Sequence, residues 1–278
     1  MIRAALDRAT RALEATSSSA RLDAEVLLAD ALGVDRARLH VIGDDALAPG
    51  VAARFEELVA RRASGAPVAY LTGRRDFWSL TLSVDAAVLV PRPETELLVE
   101  IGLAHLAGRA APAVVDLGTG SGAIGLAIAS ERPDASVDLV DLSPAALAVA
   151  ERNLAMLGLG NVRCLAGSWY GPVGDRCYDL ILANPPYLGD GDPHLQSPDL
   201  QHEPRLALVS GPGGLESLAT VTAGAPDHLV PGGLLVLEHG AEQGAAVRSL
   251  LSANGFSAVT TRRDLAGLER ATHGARGS

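Results

Sequence analysis

Apolar positions recur with two different periods along this chain, and the change of period divides it. Up to about residue 70 the spacing is helical. Leu22, Val26, Ala29 and Leu32 are placed to share one helix face, with Gly33 as a stop. Pro49 opens a further segment in which Phe55, Leu58 and Val59 are apolar and Glu56, Glu57, Arg61 and Arg62 polar. No strand pattern interrupts this region, so a small helical bundle is predicted. Between Ala69 and Pro91 the period shortens, and Phe77, Leu80, Leu82 and Val84 predict a short hairpin. The stretch Pro91-Arg92-Pro93-Glu94-Thr95-Glu96 then opens a helix, its proline and acids suited to a first turn.

From about Ala113 onward, strands and helices alternate. Strands are predicted at residues 113–117, 137–141, 162–165, 179–183, 234–238 and 256–260. Helices fall between them, among them Pro144–Leu157 with Ser143 as N-cap. Alternation of this kind predicts an α/β fold, a parallel sheet covered by helices on both faces. The last few residues, from Gly274 on, are expected to fray. The division is therefore a helical domain at 1–70, a hairpin linker at 71–92 and an α/β domain at 93–278.

Composition narrows the function classes. The 278 residues carry a net charge of −10, which disfavours a broad phosphate-binding surface and a nucleic-acid substrate. All 23 basic residues are Arg, and in an Ala-rich chain this reads as coding bias rather than chemistry. Arg54, Arg61, Arg62, Arg74 and Arg75 are read as a solvated face. No apolar run reaches the ~18 residues that span a bilayer, and the N-terminus lacks the apolar stretch of a signal peptide. A cytoplasmic protein is expected. Cys164 and Cys177 are too few for a disulfide framework or a Cys-rich metal site, so they are expected to be inert core thiols and no metal is expected.

Two loops carry the chemistry. The first, Asp116-Leu117-Gly118-Thr119-Gly120-Ser121-Gly122, follows the first strand of the α/β region and opens a helix. Glycines there let backbone approach a ligand closely. Ala123 stands where the dinucleotide fingerprint has its last glycine, and no Gly-Lys-Ser/Thr follows, so it is no P-loop. Asp116 would repel a pyrophosphate and attract a cation; S-adenosylmethionine carries an ammonium and a sulfonium and no phosphate. Asp141, 25 residues on at the end of the second strand, is placed to accept both ribose hydroxyls. For both acids a helix-capping role is the plainer alternative.

The second loop, Asn184-Pro185-Pro186-Tyr187, follows the apolar run from Tyr178 to Ala183. Chemistry in open α/β sheets sits past such strand ends. Each proline fixes its own φ and pushes the residue before it into an extended conformation. The result is a stiff crook that offers two acceptors, the Asn184 side-chain oxygen and the Pro185 carbonyl, with Tyr187 as a flat wall. Such a crook suits a planar –NH2 on an sp2 carbon, a carboxamide or a base's exocyclic amine. Pro-Pro and Asn-Pro are also ordinary turn signals. Trp169, after the third strand, reads as an adenine wall or as a core aromatic. His194, His202 and His239 are read as solvated or structural.

With these residues in place, the chain resembles the HemK/PrmC family of glutamine N5-methyltransferases from about Tyr70 to Arg270. The resemblance rests on Tyr70-Leu71-Thr72-Gly73, Phe77-Trp78, the Pro91 to Glu96 stretch, the glycine loop, Ser168-Trp169, Asn184 to Tyr187, Asp192-Pro193-His194-Leu195, Glu203-Pro204 and Leu237-Glu238-His239-Gly240. Arg263 to Arg270 matches the family's closing motif only loosely. The resemblance implies a helical N-terminal domain and a Rossmann-like, seven-stranded, S-adenosylmethionine-dependent methyltransferase domain. It implies that Gly118 to Gly122, Asp141, Trp169 and Asn184 bind the cofactor and that Asn184 to Tyr187 hold the substrate. That substrate would be the Gln of the Gly-Gly-Gln motif in class 1 peptide chain release factors. Two alternatives share the crook: a ribosomal-protein glutamine methyltransferase and a nucleic-acid exocyclic-amine methyltransferase.

Overall fold

A computed structural model describes residues 1–277, which form two compact units, Met1–Arg74 with Pro193–His202, and Arg75–Asp192 with the described residues from Glu203 on. The segment Pro193–His202 thus groups with the helical residues, although sequence position counts it with the α/β region.

The first unit consists of helices α1 (Ile2–Leu13), α2 (Ala20–Leu32), α3 (Arg38–Val41), α4 (Pro49–Ala63) and α5 (Val68–Thr72). Leu6, Leu13, Leu27, Leu28, Phe55 and Leu58 form its core. Gly33 ends α2 in the left-handed conformation, as its position predicts. The buried face of α2 differs from the expected one. Ala20, Asp23, Ala24, Leu27 and Leu28 point inward together with the expected Ala29, and Leu22 is exposed. An ion pair sets this rotation. Arg62 donates to Asp23 at 2.7 Å with both side chains buried, and Ser17 and Ser19 donate to the same carboxylate. Arg62 is therefore no part of a solvated arginine face. It also donates to Asp199 at 3.1 Å and so ties residues 193–202 to α4. Arg62→Ala is expected to cost about 3 kcal/mol, because a buried carboxylate loses its counter-charge. Chemical denaturation checks the cost, and faster proteolysis within 193–202 checks the tether.

In the second unit, β1 (Arg74–Phe77) and β2 (Leu80–Ser83) form the predicted hairpin. A seven-stranded sheet follows, built from β3 (Ala113–Leu117), β4 (Ser136–Asp141), β5 (Val162–Ala166), β6 (Tyr178–Ala183), β7 (Leu229–Glu238), β8 (Phe256–Arg263) and β9 (Glu269–Arg276). Their order is β5-β4-β3-β6-β7-β9-β8. Helices α6 (Glu96–Leu106), α7 (Ala123–Glu131), α8 (Pro144–Leu157), α9 (Arg205–Leu208), α10 (Glu216–His228) and α11 (Gly244–Ala253) complete the unit. Alternate residues of the central strands feed two cores. Val114, Leu180, Leu182 and Val236 join one, and Val115, Leu117, Ile181 and Leu237 join the other. Burial on both faces is what makes these strands read as continuous apolar runs.

The sequence reading misplaced the C-terminus. Residues 274–276, expected to fray, belong to β9, which is antiparallel to both β7 and β8 and inserted between them; Ser278 lies outside the described residues. Cys177 is exposed rather than a core thiol, while Cys164 is half-buried. No helix among the described residues is long and apolar enough to cross a membrane, and no group of three or more His, Cys, Asp or Glu among them could hold a metal ion.

Candidate active site

Strand order reverses between β3 and β6, and ligands of open α/β sheets bind at such a switch point. The two strands are parallel neighbours with Leu117 beside Ala183. The glycine loop and the Asn184 crook therefore leave the sheet side by side, at one edge. Between them lies a cavity of about 460 Å3. Gly118, Thr119, Gly120, Ser121 and Asp141 line one part of it, and Trp169, Asn184, Pro186, Thr95 and Arg92 another.

Gly118, Gly120 and Gly122 all have positive φ, which is why the turn needs glycine. Its backbone is tied down from two sides. Gly120 N–H donates to Asp141 Oδ2 at 2.9 Å, and Ser143 N–H to Asp141 Oδ1 at 2.8 Å. Burial raises the Asp141 pKa, yet each oxygen keeps lone-pair capacity toward the cavity. From the other side, Asn153 of α8 donates to the Ser121 carbonyl at 2.9 Å and pairs with the Ser83 backbone. Asn153 is fully buried. Sequence reasoning missed it, because nothing local marks an Asn inside a helix as a brace for a loop 32 residues away.

Asp116 sits differently from its expected role. It shares the parity of Val114 in β3, so its side chain points toward α7 and not into the cavity. Its Oδ2 accepts from Thr119 Oγ1 at 2.6 Å and from Gly125 N–H at 3.0 Å. Burial pushes its pKa up to about 6. The carboxylate thus supports the glycine turn from beneath, and Asp116 is not a lining residue. Gly122 likewise lies behind the lining, as the N-cap of α7.

Trp169 lines the cavity with a positive φ of 46°, a rare conformation for a bulky residue and one concentrated at functional sites. A Cβ on Gly118 would lie 3.6 Å from its ring, so glycine lets the ring face the loop in contact.

The crook divides its residues. Asn184 and Pro186 line the cavity, while Pro185 is buried and Tyr187 mostly so, and neither of those two is among the lining residues. The Tyr187 carbonyl accepts from Gln243 Nε2 at 2.9 Å. Burial pushes its phenol up to about 12, with the nearby Glu238 adding to the rise. Asn184 Nδ2 donates to Thr95 Oγ1 at 3.3 Å, which leaves Oδ1 available as an acceptor. Thr95 is itself buried, as is Glu238, whose Oε2 has no hydrogen-bond partner. Thr95 and Glu238 stood inside motifs singled out in the sequence, but without a role.

The charged lining consists of Asp141 and Arg92. Arg92 is ion-paired with the buried Glu203, which also accepts from Val90 N–H at 3.1 Å. One carboxylate, one neutralised guanidinium and an otherwise largely apolar wall fit a ligand with ribose hydroxyls and positive charge better than one with a pyrophosphate. His239 is fully buried and bonded to the Gly240 carbonyl and to Thr272, in keeping with a structural histidine.

Comparison with known proteins agrees with this geometry. Residues 4–73 match the PrmC N-terminal domain family and residues 94–197 the methyltransferase small domain family. A release factor glutamine methyltransferase of Xylella fastidiosa is 52% identical over 260 residues, covering 94% of each chain. One from Bordetella pertussis is 50% identical, covering 91% of this chain and 94% of its own. Among solved structures, a methyltransferase from Pyrococcus furiosus superposes with a TM-score of 0.53 at 18% identity, over 72% of this chain and 91% of that one, a likeness of fold alone.

Proposed function

The chain belongs to the release factor glutamine methyltransferase family, and from that premise we propose that it transfers a methyl group from S-adenosylmethionine to the side-chain amide nitrogen, N5, of the Gln in the Gly-Gly-Gln motif of class 1 peptide chain release factors. The observation that carries this reading is the pairing of Leu117 with Ala183, by which the glycine turn and the crook share one cavity.

Each residue's part follows from its surroundings. Gly118, Thr119, Gly120 and Ser121 form the cofactor cradle, with Asp116 beneath it and Gly122 behind it as supports. Asp141 accepts from the ribose hydroxyls, and Trp169 covers the adenine. S-adenosylmethionine, when bound, supplies an electrophilic methyl on a sulfonium. Asn184 Oδ1 and the Pro185 carbonyl accept the two N–H bonds of the substrate amide and hold its plane, while Pro186 and Tyr187 keep the crook stiff. Acceptors on both N–H bonds favour the positive charge that develops on nitrogen as it is alkylated. The methylated nitrogen is acidic and sheds its proton to water, so no histidine base is needed.

The test uses purified protein, a labelled methyl donor, and release factor with or without Gln→Ala in its Gly-Gly-Gln loop. Label on the first factor and none on the second supports the reading; label on a ribosomal protein or on nucleic acid instead overturns it. For the cofactor wall, Trp169→Ala should weaken S-adenosylmethionine binding about tenfold, since base–aromatic stacking contributes ~1–3 kcal/mol. Trp169→Phe should bind nearly as the wild type does. Calorimetric titration measures both.

A further inference from the structure

Two prolines make the crook stiff and also leave it short of ties. Pro185 and Pro186 have no N–H to donate, so the segment is held through side chains and carbonyls. At its front end Asn184 Nδ2 donates to Thr95 Oγ1 at 3.3 Å. What holds the back end decides where the Pro185 carbonyl points. Proline fixes its own φ and confines the residue before it, so little torsional freedom remains between Pro185 and Tyr187.

The peptide unit after Tyr187 is pinned on both sides. Its N–H, that of Leu188, donates to the Leu208 carbonyl at 3.0 Å. Its carbonyl, that of Tyr187, accepts from Gln243 Nε2 at 2.9 Å. Further on, Ser210 N–H donates to the Leu188 carbonyl at 2.8 Å, and Asp190 N–H to the Gly211 carbonyl at 3.0 Å. The arm that leaves the crook thus runs alongside residues 208–211, of which Val209 lines the cavity. A turn at residues 211–214 closes on the same arm. A Cβ on Gly214 would lie 2.7 Å from the Tyr187 carbonyl oxygen and 3.0 Å from Gly189 N, so only glycine admits this approach.

Gln243 joins these pieces. It is the N-cap of α11 and comes 56 residues after Tyr187. Its Oε1 accepts from Gly240 N–H at 2.9 Å, and its own backbone N–H donates to the Gly240 carbonyl at 2.9 Å. That closed ring fixes the side chain. Nε2 then reaches out of the turn to two carbonyls, Tyr187 at 2.9 Å and Gly214 at 3.3 Å. Every partner is a backbone group, and an N–H can only donate while a carbonyl can only accept. One orientation of the amide satisfies all three. Capping its own turn uses only the oxygen; both bonds from the nitrogen go to the crook and to the turn beside it.

We propose that Gln243 is a positioning residue for methyl transfer: its two Nε2 bonds pin the Tyr187 carbonyl to the turn at residues 211–214 and so fix the direction in which the Pro185 carbonyl meets the substrate amide. This rests on the methyl-transfer reading above.

Two substitutions separate the halves of the Gln243 amide. In Gln243→Glu the ionised carboxylate still accepts from Gly240 N–H but sets an oxygen against two carbonyls, so the turn keeps its cap and the crook loses its brace. In Gln243→Lys the ammonium donates to the two carbonyls and cannot accept, so the brace stays and the cap goes. With saturating release factor at pH 8, kcat of Gln243→Glu should fall about tenfold or more, since a misplacement of about 1 Å at the reacting groups costs up to about 10²-fold. Gln243→Lys should keep kcat within about threefold of wild type. S-adenosylmethionine affinity should stay within about twofold in both, because Gln243 does not line the cavity. Amide hydrogen exchange at Leu188, read without substrate, should be about tenfold faster in Gln243→Glu and unchanged in Gln243→Lys.

The reverse order, near-normal kcat in Gln243→Glu with a deficit in Gln243→Lys, would overturn the inference, since that is what a cap alone gives. Equal deficits in the two variants would overturn it as well, because general loosening of the fold produces them. So would a loss in Gln243→Glu carried by the KM for release factor or by cofactor affinity in place of kcat. If wild type itself fails to methylate release factor, the functional reading falls, and exchange at Leu188 still decides whether Gln243 pins the crook.

Discussion

Asn184→Ala is expected to reduce turnover by about 10²–10³-fold, the range seen when one preorganised group facing developing charge is removed. A carboxamide nitrogen is a weak nucleophile because its lone pair is delocalised into the carbonyl; the ~18–20 kcal/mol barrier to amide rotation measures that resonance. The enzyme must hold the amide plane so that the lone pair lies along the bond to the methyl, and must favour positive charge on the nitrogen. Asn184 Oδ1 is one of the two acceptors proposed for this, and its Nδ2 is already engaged by Thr95. Alanine removes the acceptor and leaves the rest of the crook in place. Cofactor affinity should change by only about twofold to threefold, because the cavity's other cofactor groups, Asp141, Trp169 and the glycine turn, are untouched. Single-turnover rates at saturating cofactor, alongside calorimetric titration of S-adenosylmethionine, separate the two effects. Near-normal turnover would remove Asn184 from the chemistry. A large loss of affinity with unchanged turnover would make it a cofactor ligand alone.

What the sequence made legible follows from where its signals are local. The central strands are buried on both faces, so β3 and β6 read as apolar runs, and the residues after them as the places for chemistry. The glycine turn and Asn184 were found for that reason. The direction of Asp116 follows from the same logic, since strand parity groups it with Val114 and so turns it away from the cavity. Long-range pairing hid the rest. β9 has the sequence Glu-Arg-Ala-Thr-His-Gly-Ala-Arg, weak in strand formers, and is a strand because β7 and β8 pair with it on both sides. The rotation of α2 depends on Arg62, 39 residues from Asp23. Thr95 and Asn184 meet only once the sheet is assembled, so the motifs that contain them show their presence and not their connection.

Gly125→Ala should be the most damaging single methyl added to the second unit. In an exposed helix, alanine would be favoured over glycine by about 1 kcal/mol. Here a Cβ would lie 2.1 Å from Leu139 Cδ2, 3.1 Å from Asp116 Cβ and 3.2 Å from Asp116 Oδ2. Leu139 is fully buried in the close-packed core beneath α7 and has no space to retreat into. The remaining relief is for α7 to lift from the sheet. That movement draws Gly125 N–H away from Asp116, whose Oδ1 already lacks a partner. The carboxylate then supports the glycine turn through Thr119 alone. Overlap should outweigh helix propensity, with a net loss of about 2–3 kcal/mol in chemical denaturation. Because the turn begins α7, S-adenosylmethionine affinity should fall about tenfold or more in parallel. Gly102→Ala is the control. Its Cβ would meet Leu180 Cδ2 at 2.9 Å, away from the cavity lining. It should cost stability and leave cofactor affinity unchanged. Equal losses of affinity in both variants would mean that the turn responds to general loosening of the core, and that Asp116 is not what holds it.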